Sequence, residues 1–184
     1  MALTWIIIIV IILVVLYLLG VFNMLVRRRN QVREAWSDIE VQLKRRYNLI
    51  PNLVETVKGY VKHEQGTFDS VTQARAAALG AQTVDQHAQA QNALSGSLRG
   101  LFAIAENYPE LKANTNFLEL QRELSDTENK IQAAHRFYNG VVRDYNTSVE
   151  SVPTNIVASL FGFKAADFFQ LDEEAARSVP KVSF

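Results

Sequence analysis

The chain has 184 residues, 48% of them hydrophobic, and its 19 basic side chains are balanced by 19 acidic ones. That length sustains one core, and the even balance argues against a nucleic-acid binder, which wants a strongly basic domain or interleaved stacking aromatics. The absence of cysteine excludes disulfide frameworks, thiolate nucleophiles and sulfur-ligated metals.

The first 26 residues carry no charged side chain, and thirteen Ile, Val or Leu stand between Ile6 and Leu19. Summed central-insertion energies favour the bilayer by roughly 4 to 8 kcal/mol at most. Leu3 to Val26 also supplies the ~20 residues that a span requires. A cleaved signal peptide is disfavoured, because a basic n-region, a short apolar core and a small-residue cleavage site are all missing. Residues 1–26 are therefore expected to be an uncleaved transmembrane anchor.

Charge then turns uneven. From Arg27 to Lys62 there are nine Lys or Arg against four Asp or Glu, a net +5, and the remaining residues 63–184 carry ten against fifteen, a net −5. Arg27, Arg28 and Arg29 follow the span directly, so the positive-inside rule places the C-terminal part in the cytoplasm and the N-terminus outside. The same three side chains attract anionic lipid. The second cluster, Lys44, Arg45 and Arg46, lies about 25 Å farther along an unbroken helix, beyond the ~10 Å reach of unscreened charge. Two readings stand for it: a solvated helix face, or pairing with the acidic stretch Glu119, Glu123, Asp126 and Glu128 within the chain or across a subunit boundary.

Apolar residues at Val32, Trp36, Ile39, Leu43, Tyr47 and Ile50 keep helical spacing, and no Gly or Pro occurs between Gly20 and Pro51. The anchor is thus predicted to continue without a joint into the first soluble helix. Pro51 is expected to start a new helix or to kink the old one, with Asn48 and Asn52 placed to satisfy the backbone groups it frees. A second stripe runs from Val54 through Val57, Val61, Phe68, Val71 and Ala74 to Ala78, with Gly80 as its stop. A third helix spans Val84 to about Tyr108, where Gly96 and Gly100 suggest close approach to a neighbour or a weak point. After Pro109, one amphipathic helix of about 35 residues carries Phe117 to Val149.

Residues 151–184 depart from this regularity. Pro153 is predicted to open a short helix ending near Phe161 and Gly162. Phe161, Phe163, Phe168, Phe169 and Phe184 are too apolar for a disordered tail, so they dock either on the chain's own bundle or on a neighbouring subunit. With helices only and short breaks, the fold class is all-α: a transmembrane helix continuing into an antiparallel four-helix bundle over residues 27–150, then the aromatic tail.

No catalytic, cofactor or metal constellation survives inspection. His63, His87 and His135 lack the Glu-x-x-His spacing of bundle di-iron sites, the zincin-like start at His63-Glu64 lacks its second ligand, and there is no phosphate loop or Gly-x-Ser-x-Gly elbow. Glu119, Glu123 and Asp126 share a polar helix face. Tyr138-Asn139 recurs as Tyr145-Asn146 on nearly the same face, and Asn52 sits beside Pro51; all are expected to fix helix register or subunit contacts.

The stretch AWSDIEVQLKRRYNLIPNLVETVKGYVKHE, Ala35 to Glu64, resembles the signature of the LemA family of bacterial membrane-anchored proteins. NYPELKANTNFLELQRELSDTENKIQAAHRFYNGVVRDYN, Asn107 to Asn146, is similar to its second block, and VASLFGF and the closing VPKVSF are similar to its ending. The resemblance implies a bacterial inner-membrane protein with one anchor and a cytoplasm-facing up-and-down bundle of the mirror variant. It carries no catalytic residues, and some relatives are associated with organising membranes.

Two functions are weighed. The first is a non-enzymatic scaffold that contacts lipid, assembles with copies of itself and shapes or organises the membrane. Its +5 and −5 segments suit meeting between copies, while the anchor lacks the small-residue face that would drive assembly in lipid. The second is a same-side adaptor or sensor whose bundle holds a protein partner or a small molecule; its partner's identity is not written in the residues.

Overall fold

The computed structural model describes residues 1–61 and 63–170, so the closing segment with Phe184 lies outside the described residues. Among the described residues there are six helices and no strand: α1 (Ala2–Lys58), α2 (Gln65–Gly80), α3 (Val84–Ala105), α4 (Pro109–Lys112), α5 (Thr115–Glu150) and α6 (Thr154–Leu160).

Helix α1 runs 57 residues without interruption, and between Gly20 and Pro51 this is the continuity that the lack of Gly and Pro predicts. It also runs through Pro51, which the sequence places at a helix start or a kink. Pro51 has no N–H for the carbonyl of Tyr47, four residues earlier. That oxygen instead accepts a hydrogen bond from Arg75 Nε of α2 at 2.8 Å, so neither Asn48 nor Asn52 performs the expected task. Beyond the proline, Leu53, Val54 and Val57 are buried, which holds the last two turns in place. Tyr60 and Val61 N–H both reach Val57 O at 3.0 Å and close the helix beside Gly59. Val54 and Val57 therefore belong to α1, and only the later half of the expected second stripe forms α2.

The other boundaries have local causes. Thr83 caps α3 reciprocally: its hydroxyl accepts from Gln86 N at 3.2 Å, and Gln86 Oε1 accepts from Thr83 N at 3.3 Å. The helix ends at Ala105, three residues short of the expected Tyr108. Pro109 fills the first position of α4. Asn114 Oδ1 accepts from Phe117 N at 3.0 Å and starts α5, whose 36 residues match the long helix read from its stripe. Gly162 takes φ +70° just past α6, a left-handed conformation that glycine adopts without steric cost. Gly96 and Gly100 of α3 have open space where a Cβ would stand, so neither marks a close approach within the chain.

The chain divides into two compact units, the first made of residues 1–40 and 133–168 and the second of residues 41–132 with Phe169 and Gln170 among the described ones. The core of the first is built from Val21, Leu25, Val32, Ala35 and Ile39 of α1, Tyr138, Val142 and Tyr145 of α5, Val157 and Ala158 of α6, and Phe163. In the second, α2 packs on α3, and segments of α1 and α5 complete a core that includes Leu43, Ile50, Leu53, Leu94, Leu101, Leu111 and Ile131, each at most 1% exposed.

Candidate functional site

Apolar composition extends to Val26, but packing begins earlier. Leu3, Trp5 and the large apolar side chains from Ile6 to Tyr17 that α1 carries are exposed, whereas Val21 is 8% and Leu25 0% exposed. The bare stretch therefore ends at about Gly20, and it belongs to a helix long and apolar enough to cross a membrane. The next turn already works as protein core. Phe22 meets Phe161 at a ring-centroid distance of 4.8 Å and Phe163 at 5.7 Å, both edge to face.

The three arginines after this aromatic cluster differ in what they touch. Arg27 Nε donates to Asn23 O at 3.3 Å along its own helix. Arg28 Nη1 reaches the Asp144 carbonyl of α5 at 3.0 Å, and the Arg29 guanidinium lies 5.1 Å from the centre of the Phe163 ring. Arg27 and Arg29 remain exposed to solvent. A shallow groove of about 340 Å³ runs between Met24, Arg27, Arg28 and Gln31 on α1 and Val141 and Asp144 on α5.

Helix α5 holds the segment after α6 by its main chain. Tyr145 Oη donates to Lys164 O at 2.9 Å and Tyr138 Oη to Asp167 O at 2.9 Å. Asn146 binds Ala166 twice, donating to its carbonyl at 2.9 Å and accepting from its N–H at 2.8 Å. The repeated Tyr-Asn pair thus pins an extended strap and spares its backbone groups from burial without partners. Asn139 departs from the pattern, with Nδ2 2.8 Å from His135 Nε2. Burial pushes the Tyr138 phenol up to about 12, with Asp167 adding to the rise. Tyr145 is raised by burial against the opposing pull of Arg29 and Arg33. Trp36 packs edge to face on Tyr138 at 5.5 Å. On the strap Phe163 and Phe169 are buried, while Phe161 and Phe168 are 53% and 39% exposed.

The second unit contains a buried ionic network. Lys44 and Arg45 are exposed, but Arg46 is 6% exposed. Its Nη1 lies 2.9 Å from Glu128 Oε2 and 3.0 Å from Gln91 Oε1, and its Nη2 donates to Ser95 Oγ at 2.9 Å. Gln91 Nε2 in turn donates to Tyr47 Oη. Desolvation lowers the Arg46 pKa, against the raising effect of Glu128 and Tyr47, and burial pushes Tyr47 up to about 12. Four acceptor and donor groups on α1, α3 and α5 are thereby satisfied around one guanidinium, as a buried charge requires.

The acidic stretch divides in the same way. Glu119 and Glu123 are exposed, Glu128 is half-buried against Arg46, and Asp126 pairs with Lys130 at 2.8 Å. Asn52 is exposed, and its carbonyl accepts from Thr56 Oγ1 at 2.7 Å. Gln91, Ser95 and Arg75 are the functional side chains that the sequence reading passed over. Two signals pointed to the network. Gln91 sits in the apolar stripe of α3, and Arg46 lies three residues after Leu43 and four before Ile50, on the buried face of α1.

The family model described as the LemA family matches residues 35–184. Protein LemA of Metamycoplasma hominis is 30% identical over 156 residues, which cover 82% of this chain and 69% of that protein. Magnetosome protein MamQ 2 of Paramagnetospirillum magneticum is 23% identical over 188 residues, covering 88% of this chain and 68% of its own length. Magnetosome protein MamQ of Magnetospirillum gryphiswaldense is 22% identical with the same coverage. With all its described secondary structure helical and a first helix suited to a bilayer, this membrane-associated protein belongs to the LemA family.

Proposed function

We propose that the protein is a single-pass, non-enzymatic scaffold of the bacterial inner membrane, whose helical part assembles with copies of itself and organises or shapes the bilayer. The observation that carries this reading is the unbroken α1, in which the bare apolar residues up to Gly20 pass into the buried residues from Val21 onward with no intervening joint. A helix that enters a core within one turn of lipid fixes the angle at which its domain stands. Fixed presentation favours repeated, identical contacts between neighbours.

In this reading the soluble helices form an antiparallel four-helix bundle. The contacts of Arg28 with Asp144 and of Trp36 with Tyr138, at rising positions on α1 and falling ones on α5, support that course in the first unit. The N-terminus lies outside and the bundle in the cytoplasm, on the charge of Arg27, Arg28 and Arg29. Exposed Glu119, Glu123, Lys44 and Arg45 supply complementary charge for contacts between copies, and nucleic acid is not a partner.

Size and symmetry of the detergent-extracted full chain test the assembly. A defined oligomer at micromolar concentration is expected. A monomer throughout that range overturns the scaffold, and one dominant stoichiometric partner in its place establishes a same-side adaptor. Sidedness is read from Ser37→Cys, at an exposed position on α1. The thiol should resist a membrane-impermeant maleimide in intact cells, and ready labelling reverses the topology.

A further inference from the structure

We infer that the exposed apolar face of α6 and its flanks, formed by Val152, Ile156, Leu160 and Phe161, lies in the bilayer surface beside the point where α1 leaves the membrane. The inference rests on the reading of α1 as a membrane span.

These four side chains are 79%, 65%, 71% and 53% exposed. The same short helix buries Val157 and Ala158 on its other side, so its outer apolar face is not a consequence of loose packing. Within α6, Ile156 and Leu160 stand four residues apart, one above the other, and Val152 lies just ahead of the helix. Ser151 to Phe163 contains no charged side chain at all. A contiguous apolar face of this kind marks a contact with lipid or protein.

Its position selects lipid. Phe161 packs on Phe22, and Phe22 is only two residues, or about 3 Å of helix rise, from Gly20, where the bare apolar stretch of α1 ends. The face therefore sits at the level where hydrocarbon gives way to headgroups, continuous with the surface that α1 already presents to lipid. Exposed Arg27 and Arg29 lie five and seven residues past Phe22, about 8 to 10 Å farther from the hydrocarbon. Headgroup phosphates occupy that depth, and an interfacial apolar face reaches about 5 to 10 Å into the boundary. Charge and apolar surface are thus layered in the order of a leaflet. The strap that Tyr145 and Asn146 hold keeps this face in place from the other end.

The chain has no cysteine, so a single introduced thiol reports one site. Leu160→Cys, Leu13→Cys and Ser37→Cys, each carrying an environment-sensitive dye, are compared in nanodiscs containing phosphatidylglycerol. All three positions are exposed, so the substitutions leave the core intact. Leu160 should be quenched by lipids spin-labelled near the headgroup, Leu13 by lipids labelled deep in the acyl chain, and Ser37 only by aqueous iodide. Leu160 behaving like Ser37 while Leu13 is quenched deeply overturns the inference alone. Leu160 shielded from both lipid and iodide assigns the face to a second protein chain and also overturns it. Leu13 open to iodide overturns the span itself, and the inference falls with it.

Discussion

Arg75 Nε donates at 2.8 Å to the carbonyl oxygen of Tyr47, the acceptor that Pro51 leaves without its helical partner. One side chain of α2 thereby repairs the main chain of α1, and a residue type that ordinarily ends helices is carried inside one. Arg75→Met should destabilise the fold by about 1 to 3 kcal/mol, because a half-buried carbonyl is left unpaired. In a Pro51→Ala background an N–H returns to Tyr47 O, and the cost of Arg75→Met should fall to about half its former value or less. A double-mutant cycle of chemical unfolding in detergent checks this. Equal costs in both backgrounds would separate Arg75 from the proline.

Around Arg46, loss of the guanidinium leaves buried Gln91 and half-buried Ser95 each short of a partner, and Glu128 beside them without a counter-charge. Arg46→Met should cost about 3 kcal/mol. Arg46→Lys should recover little of it, since one ammonium cannot match the fork that reaches three acceptors. Helical circular dichroism during thermal unfolding ranks the variants. A lysine variant as stable as the native chain would show that a point charge suffices.

The strap gives a separate readout. Tyr145→Phe removes one hydrogen bond to Lys164 O, and Asn146→Ala removes two to Ala166. Losses of about 1 and 2 kcal/mol are expected. Lys164 is exposed, so cleavage by trypsin after it reports local opening. The rate should rise roughly tenfold for each ~1.4 kcal/mol lost, with the helical content unchanged. No change in the cleavage rate would mean that the strap is held by its apolar side chains alone.

Alkaline pH should weaken the protein. Tyr47 and Tyr138 are each pushed up to about 12, chiefly by burial, above the ~10 of an unfolded chain. Below pH ~10 both states keep the phenol protonated, and the stabilisation is whole. As pH rises from 10 towards 12 only the unfolded chain gives up its protons, so stability falls, by on the order of 1 to 2 kcal/mol per tyrosine after screening by solvent. The urea midpoint followed across that range measures it. Tyr47→Phe with Tyr138→Phe should flatten the decline, and an equally steep decline in the double variant would assign it to other groups.

Much of this architecture was legible in the chain. Periodicity over Phe117 to Val149 predicted α5 within about one residue of its 36, because an amphipathic stripe declares its own length. The apolar run declared the bilayer-suited part of α1. At Pro51 the helix continues and no new one starts, because the carbonyl that the proline leaves free is taken up by Arg75, which is distant in sequence and close only once folded. Arg46 was half legible: the sequence offered a solvated face or pairing with the acidic stretch that holds Glu128, and in the folded chain Arg46 pairs with Glu128 while Lys44 and Arg45 stay exposed. The Tyr-Asn repeat was visible as a face, but a repeat does not name what it will hold.

Sequence alone determined the helical class and the segment suited to lipid, since each follows from composition and spacing along a single chain, and the family, through the resemblance of whole stretches such as Ala35 to Glu64. Tertiary structure decided where the apolar run of α1 stops being bare, which arginine is buried and what Tyr138, Tyr145 and Asn146 grip. Those outcomes depend on desolvation and on hydrogen-bond partners that residues far apart in the chain supply to one another only when they are packed together.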